Sequence, residues 1–237
     1  MTQKKHNILA LDSATKICSV ALRNSENNVL VKKEKGLGIH SELLFVFIDE
    51  VLNEAGLTID DLVGVVVTAG PGSYTGLRIA ASAVKGLLFN RSVPLYGVNT
   101  LLYFAASAMQ KDPELTRIHA VIDARRVHLY HQLFTVKNNE LHPLTDVAIR
   151  KIDELHDYME KGDGLIGTGI HRIPVDNIAD IKILDDESIQ ASVLVDLYDQ
   201  REKYLLVDES SKLIQQVIPE EFNPHYYNKS EPQVSKK

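Results

Sequence analysis

The run Val63-Gly64-Val65-Val66-Val67 leads into Gly70-Pro71-Gly72-Ser73-Tyr74-Thr75-Gly76. That turn leads in its turn into the helical spacing of Leu77, Ala80, Ala83, Val84, Leu87 and Leu88. An unbroken β-branched run reads as a strand covered on both faces, as in a parallel sheet with helices on either side. A glycine turn from such a strand into a helix brings backbone N–H groups and the positive end of the helix dipole to one spot, which favours an anion. The turn does not fit the phosphate-loop pattern, because no Lys-Ser or Lys-Thr pair closes it. It does not fit the dinucleotide pattern either, since its third glycine comes one residue late. From spacing alone, two readings stand: a tight turn with glycines at positive φ, and the edge of an anion or nucleotide site.

Upstream, Asn7 to Asp12, Cys18 to Arg23 and Val29 to Lys35 are short runs rich in Val, Ile and Leu, parted by Ser13-Ala14-Thr15 and Ser25-Glu26-Asn27-Asn28. They predict an antiparallel meander. Ser41 is placed as the N-cap of a following helix and Gly56 as its C′ stop. Thr58 and Asp60-Asp61 make a short turn. After the glycine turn come a helix from about Thr75 to Asn90 and a strand from Val93 to Val98. A helix from Thr100 to about Lys111 follows, then strands at His119 to Asp123 and Val127 to Val136. Asn138 to Ile189 shows no clear period. Gln190 to Leu206 reads as a helix that Ser211 to Val217 extends. The expected organisation is an N-terminal unit at residues 1–102, a more divergent second unit at 103–218 and a flexible polar tail at 219–237 bearing Pro224, Pro232, Ser235, Lys236 and Lys237.

The formal net charge of -6 removes a global basic footprint for nucleic acid. If nucleic acid is bound, another subunit holds most of it. The single cysteine, Cys18, excludes an internal disulfide framework, fits a reducing compartment and reads as a small buried hydrophobe. Ile8-Leu9-Ala10-Leu11 is too short for a signal segment, and nothing later approaches a membrane span, so a cytoplasmic location is expected.

Around the glycine turn the sequence resembles the TsaB (YeaZ) family. The residues that carry the resemblance are Gly70 to Ile79, Lys85-Gly86-Leu87, Pro94 and Gly97-Val98. To these add Ile8-Leu9-Ala10-Leu11-Asp12-Ser13, His40-Ser41-Glu42-Leu43-Leu44, and Asp123-Ala124-Arg125-Arg126 with Tyr130. The likeness is dense over residues 7 to 130 and thin beyond, and Ala80 stands where the family usually has glycine. It implies an α/β protein of the actin-like ATPase (ASKHA) fold with two βββαβαβα subdomains. It also implies a role beside a TsaD-like catalytic subunit and a TsaE-like ATPase, which together transfer threonylcarbamoyl to the adenosine next to the tRNA anticodon. tRNA would be met through the complex, and the free chain would pair with a second copy.

The same resemblance bears on catalysis. TsaD binds metal through His-x-x-x-His just after the strand matching Val93 to Val98, and here those positions are Thr100 and Phe104. Two imidazoles four apart on a helix share one ion, and Thr and Phe cannot replace them. No catalytic residue, metal site or cofactor is therefore expected. His128 and His131, three apart on a strand, fall on opposite faces. His40 reads as a helix-entry residue. Asp12 stands where the superfamily holds a magnesium–phosphate network, and with Gly70, Gly72, Ser73, Thr75 and Gly76 it makes a relic or weak nucleotide site. Asp123 is a candidate second carboxylate, or simply part of an Arg125-Arg126 turn.

Two helices carry more apolar surface than one sheet needs. On a wheel of about 100° per residue, Leu43, Phe45 and Val46 spill beyond the inward face of the first. Ile79, Ser82, Gly86 and Phe89 lie on the outer side of the second. Such strips mark an interface or are covered by the rest of the chain; the resemblance implies a TsaD-like subunit or a second copy there. Two alternatives stay open: a stand-alone actin-like phosphotransferase using Asp12 around ATP, and a metallopeptidase of the glycoprotease type.

Overall fold

The N-terminal runs pair as their alternation predicts. In the computed structural model, which describes residues 6–174, 180–205 and 213–227, β1 (Ile8–Asp12), β2 (Ile17–Arg23) and β3 (Val29–Lys35) form an antiparallel meander. The β-branched run becomes β4 (Gly64–Gly70), parallel to β1, and β5 (Leu95–Asn99) lies parallel to β4. Alternation is strict in this sheet. Leu9, Leu11, Val20, Val65 and Val67 pack on its outer face under two helices, while Ile8, Ala10, Ala21 and Val66 point into the centre of the molecule. Fully burying each such side chain is worth about 1.5–3 kcal/mol, which is why the register is unambiguous.

The covering helices are α1 (His40–Ala55) and α2 (Tyr74–Leu88). Gly56 ends α1 at φ 63°, as expected of a left-handed stop. Ser41 is not the cap: α1 opens at His40 with Ile39 as an uncapping N-cap, and the Ser41 hydroxyl, already in the first turn, donates to Gly38 O at 3.3 Å. α3 (Thr100–Lys111) starts where expected, capped by the Asn99 side chain, which accepts from the Leu101 and Leu102 amides.

The second half repeats the first with its helices worn down. β6 (Arg117–Asp123), β7 (His128–Lys137) and β8 (Glu140–Pro143) are a second antiparallel meander, with β9 (Ala148–Lys151) pairing β7 beside it. β10 (Gly164–Gly167) and β11 (Lys182–Leu184) add in parallel. Three-ten turns at Ile152–Tyr158 and Ile170–Arg172 stand where α1 and α2 stand in the first half. α4 (Ser192–Asp199) then corresponds to α3. This is the duplicated order of an actin-like α/β fold. The two central helices cross over: α3 packs on β6 and β10, and α4 packs on β1, β2 and β4, so both lie between the sheets.

Two stretches differ from the sequence expectation. Ile214–Val217 is not a helical extension but a strand, β12, antiparallel to β5 at the edge of the first sheet; Ser211, where that extension was expected to begin, lies outside the described residues. Pro219–Tyr227, expected to be loose, is held: Phe222 is 3% exposed in the outer core of the first sheet, and the His225 amide donates to Ala69 O at 2.7 Å. The remainder of that tail, with Pro232, Ser235, Lys236 and Lys237, lies outside the described residues. No helix among the described residues is long and apolar enough to cross a membrane.

Candidate functional site

The glycine turn sits at the end of β4, and the chain itself presses against it from two sides. The β1–β2 turn forms one wall. Ser73 N–H donates to Ala14 O at 2.6 Å, and the Ser13 hydroxyl donates to Gly76 O at 2.8 Å. A Cβ on Gly72 would lie 2.3 Å from Ala14 O, and one on Gly76 would lie 2.0 Å from Ser13 O. The C-terminal segment forms the other wall: Gly70, at φ 107°, would place a Cβ 2.5 Å from His225 O. Gly70 bears out the positive-φ reading, and all three glycines are also required by backbone-to-backbone contact within the chain, which spacing alone did not offer. Ser73 caps α2, accepting from Gly76 N–H at 3.2 Å. Thr75 is exposed and turns away from Asp12 towards the outer side of α2.

Asp12 ends β1 beneath this turn and is fully buried. Its Oδ1 accepts from the Ala14 amide at 2.9 Å and the Thr68 hydroxyl at 3.1 Å. Its Oδ2 and the hydroxyl of Tyr103 are both buried without a hydrogen bond of good geometry, yet the two groups lie close enough for the hydroxyl to favour the carboxylate. Burial pushes the Asp12 carboxyl up to about 6, against the pull of the Ala14 amide, the Thr68 hydroxyl and the nearby His40 ring. His40 enters α1 as expected, with Nε2 3.1 Å from Ile17 O. Cys18 is buried, and its thiol is pushed up to about 12 by burial and by the Asp12 charge, which leaves it unreactive.

The other candidates scatter. Asp123 is exposed; it accepts from the Arg125 amide at 2.7 Å and pairs with Arg172, closing a turn in which Arg125 and Arg126 both take positive φ. Thr100 and Phe104 are fully buried between the sheets. Among the described residues no three His, Cys, Asp or Glu side chains come together as a metal site, and Thr100 and Phe104 lack the donor chemistry of the His pair that binds metal in TsaD.

The outer faces of α1 and α2 lie side by side and bare. Phe45 is 51% exposed, Val46 45% and Phe89 69%; Leu43 and Ile79 are half-buried, and Ser82 and Gly86 are open to solvent. A Cβ on Gly86 would meet nothing within 4 Å. Between the helices runs a groove lined by Ser41, Phe45, Tyr74, Thr75, Arg78, Ile79 and Ser82. At its end the Arg78 guanidinium lies 3.9 Å over the Tyr74 ring, and the Tyr226 ring packs tilted against Tyr74 at 5.2 Å.

One cluster escaped the sequence reading. His119 on β6 and His131 on β7 lie edge to edge with nearly parallel rings, centroids 5.2 Å apart, on the outer face of the second sheet, bridged to Asp163 and Arg150. Its partners Arg150, Tyr158 and Asp163 all fall in the stretch without a period. The only available signal was His119 and His131 themselves, on neighbouring strands with the same parity.

Comparison with known proteins follows the fold. Residues 31–177 match the family described as TsaD: tRNA N6-adenosine threonylcarbamoyltransferase. The "tRNA threonylcarbamoyladenosine biosynthesis protein TsaB" of Escherichia coli (strain K12) is 32% identical over 166 residues, covering 68% of this chain and 71% of that protein. Its namesake in Bacillus subtilis (strain 168) is 28% identical over 185 residues, covering 74% and 77%. Among solved structures, YeaZ from Pseudomonas aeruginosa superposes with a TM-score of 0.77 at 24% identity, over 94% of this chain and all of that one, a likeness of fold. Ancestry and architecture agree, and this chain belongs to the TsaB (YeaZ) family.

Proposed function

We propose that this chain works in the formation of threonylcarbamoyladenosine on tRNA as a non-catalytic subunit. It docks a TsaD-like catalytic subunit through the outer faces of α1 and α2. A TsaE-like ATPase joins that pair, tRNA is met through the assembly, and a second copy of the chain takes the same face when the partner is absent. The observation that carries this reading is the contrast between the two ends of α2. At the glycine turn, carbonyl oxygens of Ser13, Ala14 and His225 press on Gly76, Gly72 and Gly70, which an anion would not favour. Along the outer face, Phe45, Val46 and Phe89 stand exposed beside a small-residue strip at Ser82 and Gly86. Apolar surface of this kind, rimmed by Glu42, Asp49 and Lys85, is what a partner helix pair buries.

The test is co-elution of the purified chain with the TsaD-like subunit of its host. Val46→Glu and Gly86→Arg each weaken the association at least tenfold while the far-UV spectrum and melting midpoint stay near wild type. Both positions are exposed, so undiminished co-elution of folded variants refutes the docking face.

A phosphotransferase reading would rest on the buried Oδ2 of Asp12. That oxygen lies under a closed turn, so calorimetry with Mg-ATP gives no binding heat from the isolated chain. A micromolar dissociation constant would favour the phosphotransferase instead.

A further inference from the structure

We infer that Arg150, His131, His119 and Asp163 form a one-directional hydrogen-bond chain that latches the segment 152–163 over the outer face of the second sheet and releases it on protonation. The inference is independent of the partner-docking reading. The two ends of the chain fix its direction, because a guanidinium only donates and a carboxylate only accepts. Arg150 Nε donates to His131 Nδ1 at 3.1 Å, so that nitrogen carries no proton. The His131 proton is therefore on Nε2, which donates to His119 Nδ1 at 3.0 Å. The His119 proton is then on its own Nε2 and is donated to Asp163 Oδ2 at 2.8 Å. Each ring holds one proton, in one tautomer.

An added proton has no place in this chain. On His131 Nδ1 it would point at the Arg150 N–H. On His119 Nδ1 it would point at the His131 N–H, and passing that proton along only moves the conflict back to Arg150. The described groups around it are already engaged. Arg117 on β6 donates through Nε to Asp163 Oδ1 at 3.0 Å and through Nη2 to Tyr158 O at 3.1 Å, and its Nη1 lies 3.0 Å from Glu160. Asp163 Oδ2 also accepts the Glu160 amide at 2.8 Å. The Tyr158 hydroxyl takes Arg150 Nη1 at 2.6 Å. Burial, the neighbouring imidazole and the Arg150 cation all hold His131 well below the ordinary histidine range.

The chain grips the segment at both ends. Arg150 stands on β9 just before it and Asp163 closes it just before β10, while Leu155, Ile152 and Met159 lie on Val121, Leu129 and Leu165 of the sheet between them. Losing either end frees the same cover. Each proton taken up only by the opened state raises the opening constant about tenfold per pH unit below the ordinary imidazole value of about 6.5.

The test uses the full chain. Nitrogen-15 NMR of the imidazoles at pH 7.5 finds both rings as the Nε2–H tautomer. Hydrogen exchange, corrected for intrinsic chemistry, finds protection of residues 152–163 falling about tenfold between pH 6.5 and 5.5, while α1 and α2 keep theirs. In Arg150→Gln the amide oxygen can accept from a protonated Nδ1, so His131 titrates at higher pH within the closed state and the acid-driven loss of protection becomes smaller. A charged ring or an Nδ1–H tautomer at pH 7.5 overturns the chain. Protection that does not change with pH, or an unmoved His131 titration in Arg150→Gln, overturns the latch. Should Arg150→Gln fail to fold, the wild-type tautomers and exchange profile decide alone.

Discussion

Gly76→Ala and Gly86→Ala place the same methyl group on the same helix, ten residues apart, and should act in opposite directions. At Gly86 the new Cβ meets nothing within 4 Å. Only the backbone responds there, and alanine is favoured over glycine in a helix interior by about 0.5–1 kcal/mol. At Gly76 the same helical gain is overwhelmed. The Cβ would stand 2.0 Å from Ser13 O and 3.2 Å from Ser13 C, a backbone that cannot swing aside as a long side chain could. Relief requires parting α2 from the β1–β2 turn, which strains packing by about 1–3 kcal/mol. Parting them also stretches the Ser13 hydroxyl bond to Gly76 O and the Ser73 amide bond to Ala14 O, each worth about 1 kcal/mol. Set against the helical gain, Gly76→Ala is left about 2–4.5 kcal/mol less stable, and for a chain of this size that lowers the melting midpoint by about 2–4 °C per kcal/mol. Urea titration of both variants reads it directly, as a midpoint that falls for Gly76→Ala and rises for Gly86→Ala with the slope unchanged. A turn kept glycine-rich for a bound phosphate would show the reverse, since in the ligand-free protein the site is empty and the methyl group is tolerated. A Gly76→Ala midpoint at or above wild type therefore refutes the packing account of the turn.

Asp12→Asn tests the buried carboxylate. Its folded value of about 6 lies above the ordinary 3.8, so the folded chain resists ionising it. This group therefore costs stability progressively as pH rises from about 4 to 6, reaching on the order of 3 kcal/mol. Asn keeps the acceptor for Ala14 and Thr68 and carries no charge, so the variant gains on wild type at pH 8 and loses that advantage at pH 4; an equal difference at both pH values excludes the buried charge as the cause. Phe222→Ala empties a site in the outer core of the first sheet and costs about 3–5 kcal/mol by urea titration, whereas a loss under 1 kcal/mol would mean that the C-terminal segment is not bound as described.

What the sequence disclosed and what it withheld divide along the range of the interactions responsible. The first half was legible because each of its signals is local. The alternation in Ile8–Asp12 and Ile17–Arg23, the β-branched run of β4 and the glycine after α1 need no distant partner to be recognised. The bare faces of α1 and α2 were legible for the same reason: an excess of apolar residues on a helix wheel is visible without knowing what covers it. The second half replaces its helices with short three-ten turns at Ile152–Tyr158 and Ile170–Arg172, which carry no 3.6-residue period. Ile214–Val217 has two glutamines between its apolar ends, and only pairing with Leu95–Asn99 makes it a strand. Ser41 has the chemistry of a cap, but the N-cap position falls two residues earlier at Ile39, and His40, already in the helix, bonds to the distant Ile17 O. The glycine turn is the sharpest case. Its sequence announces close approach by something, and the stretches that approach, Ser13-Ala14 and His225, lie more than fifty residues before it and about one hundred and fifty after it. Local spacing can state that a backbone must be bare; only the long-range fold says whether a phosphate or the protein's own backbone comes to meet it. Here it is the backbone, and the outer surface of the same helix is the one left without such a neighbour.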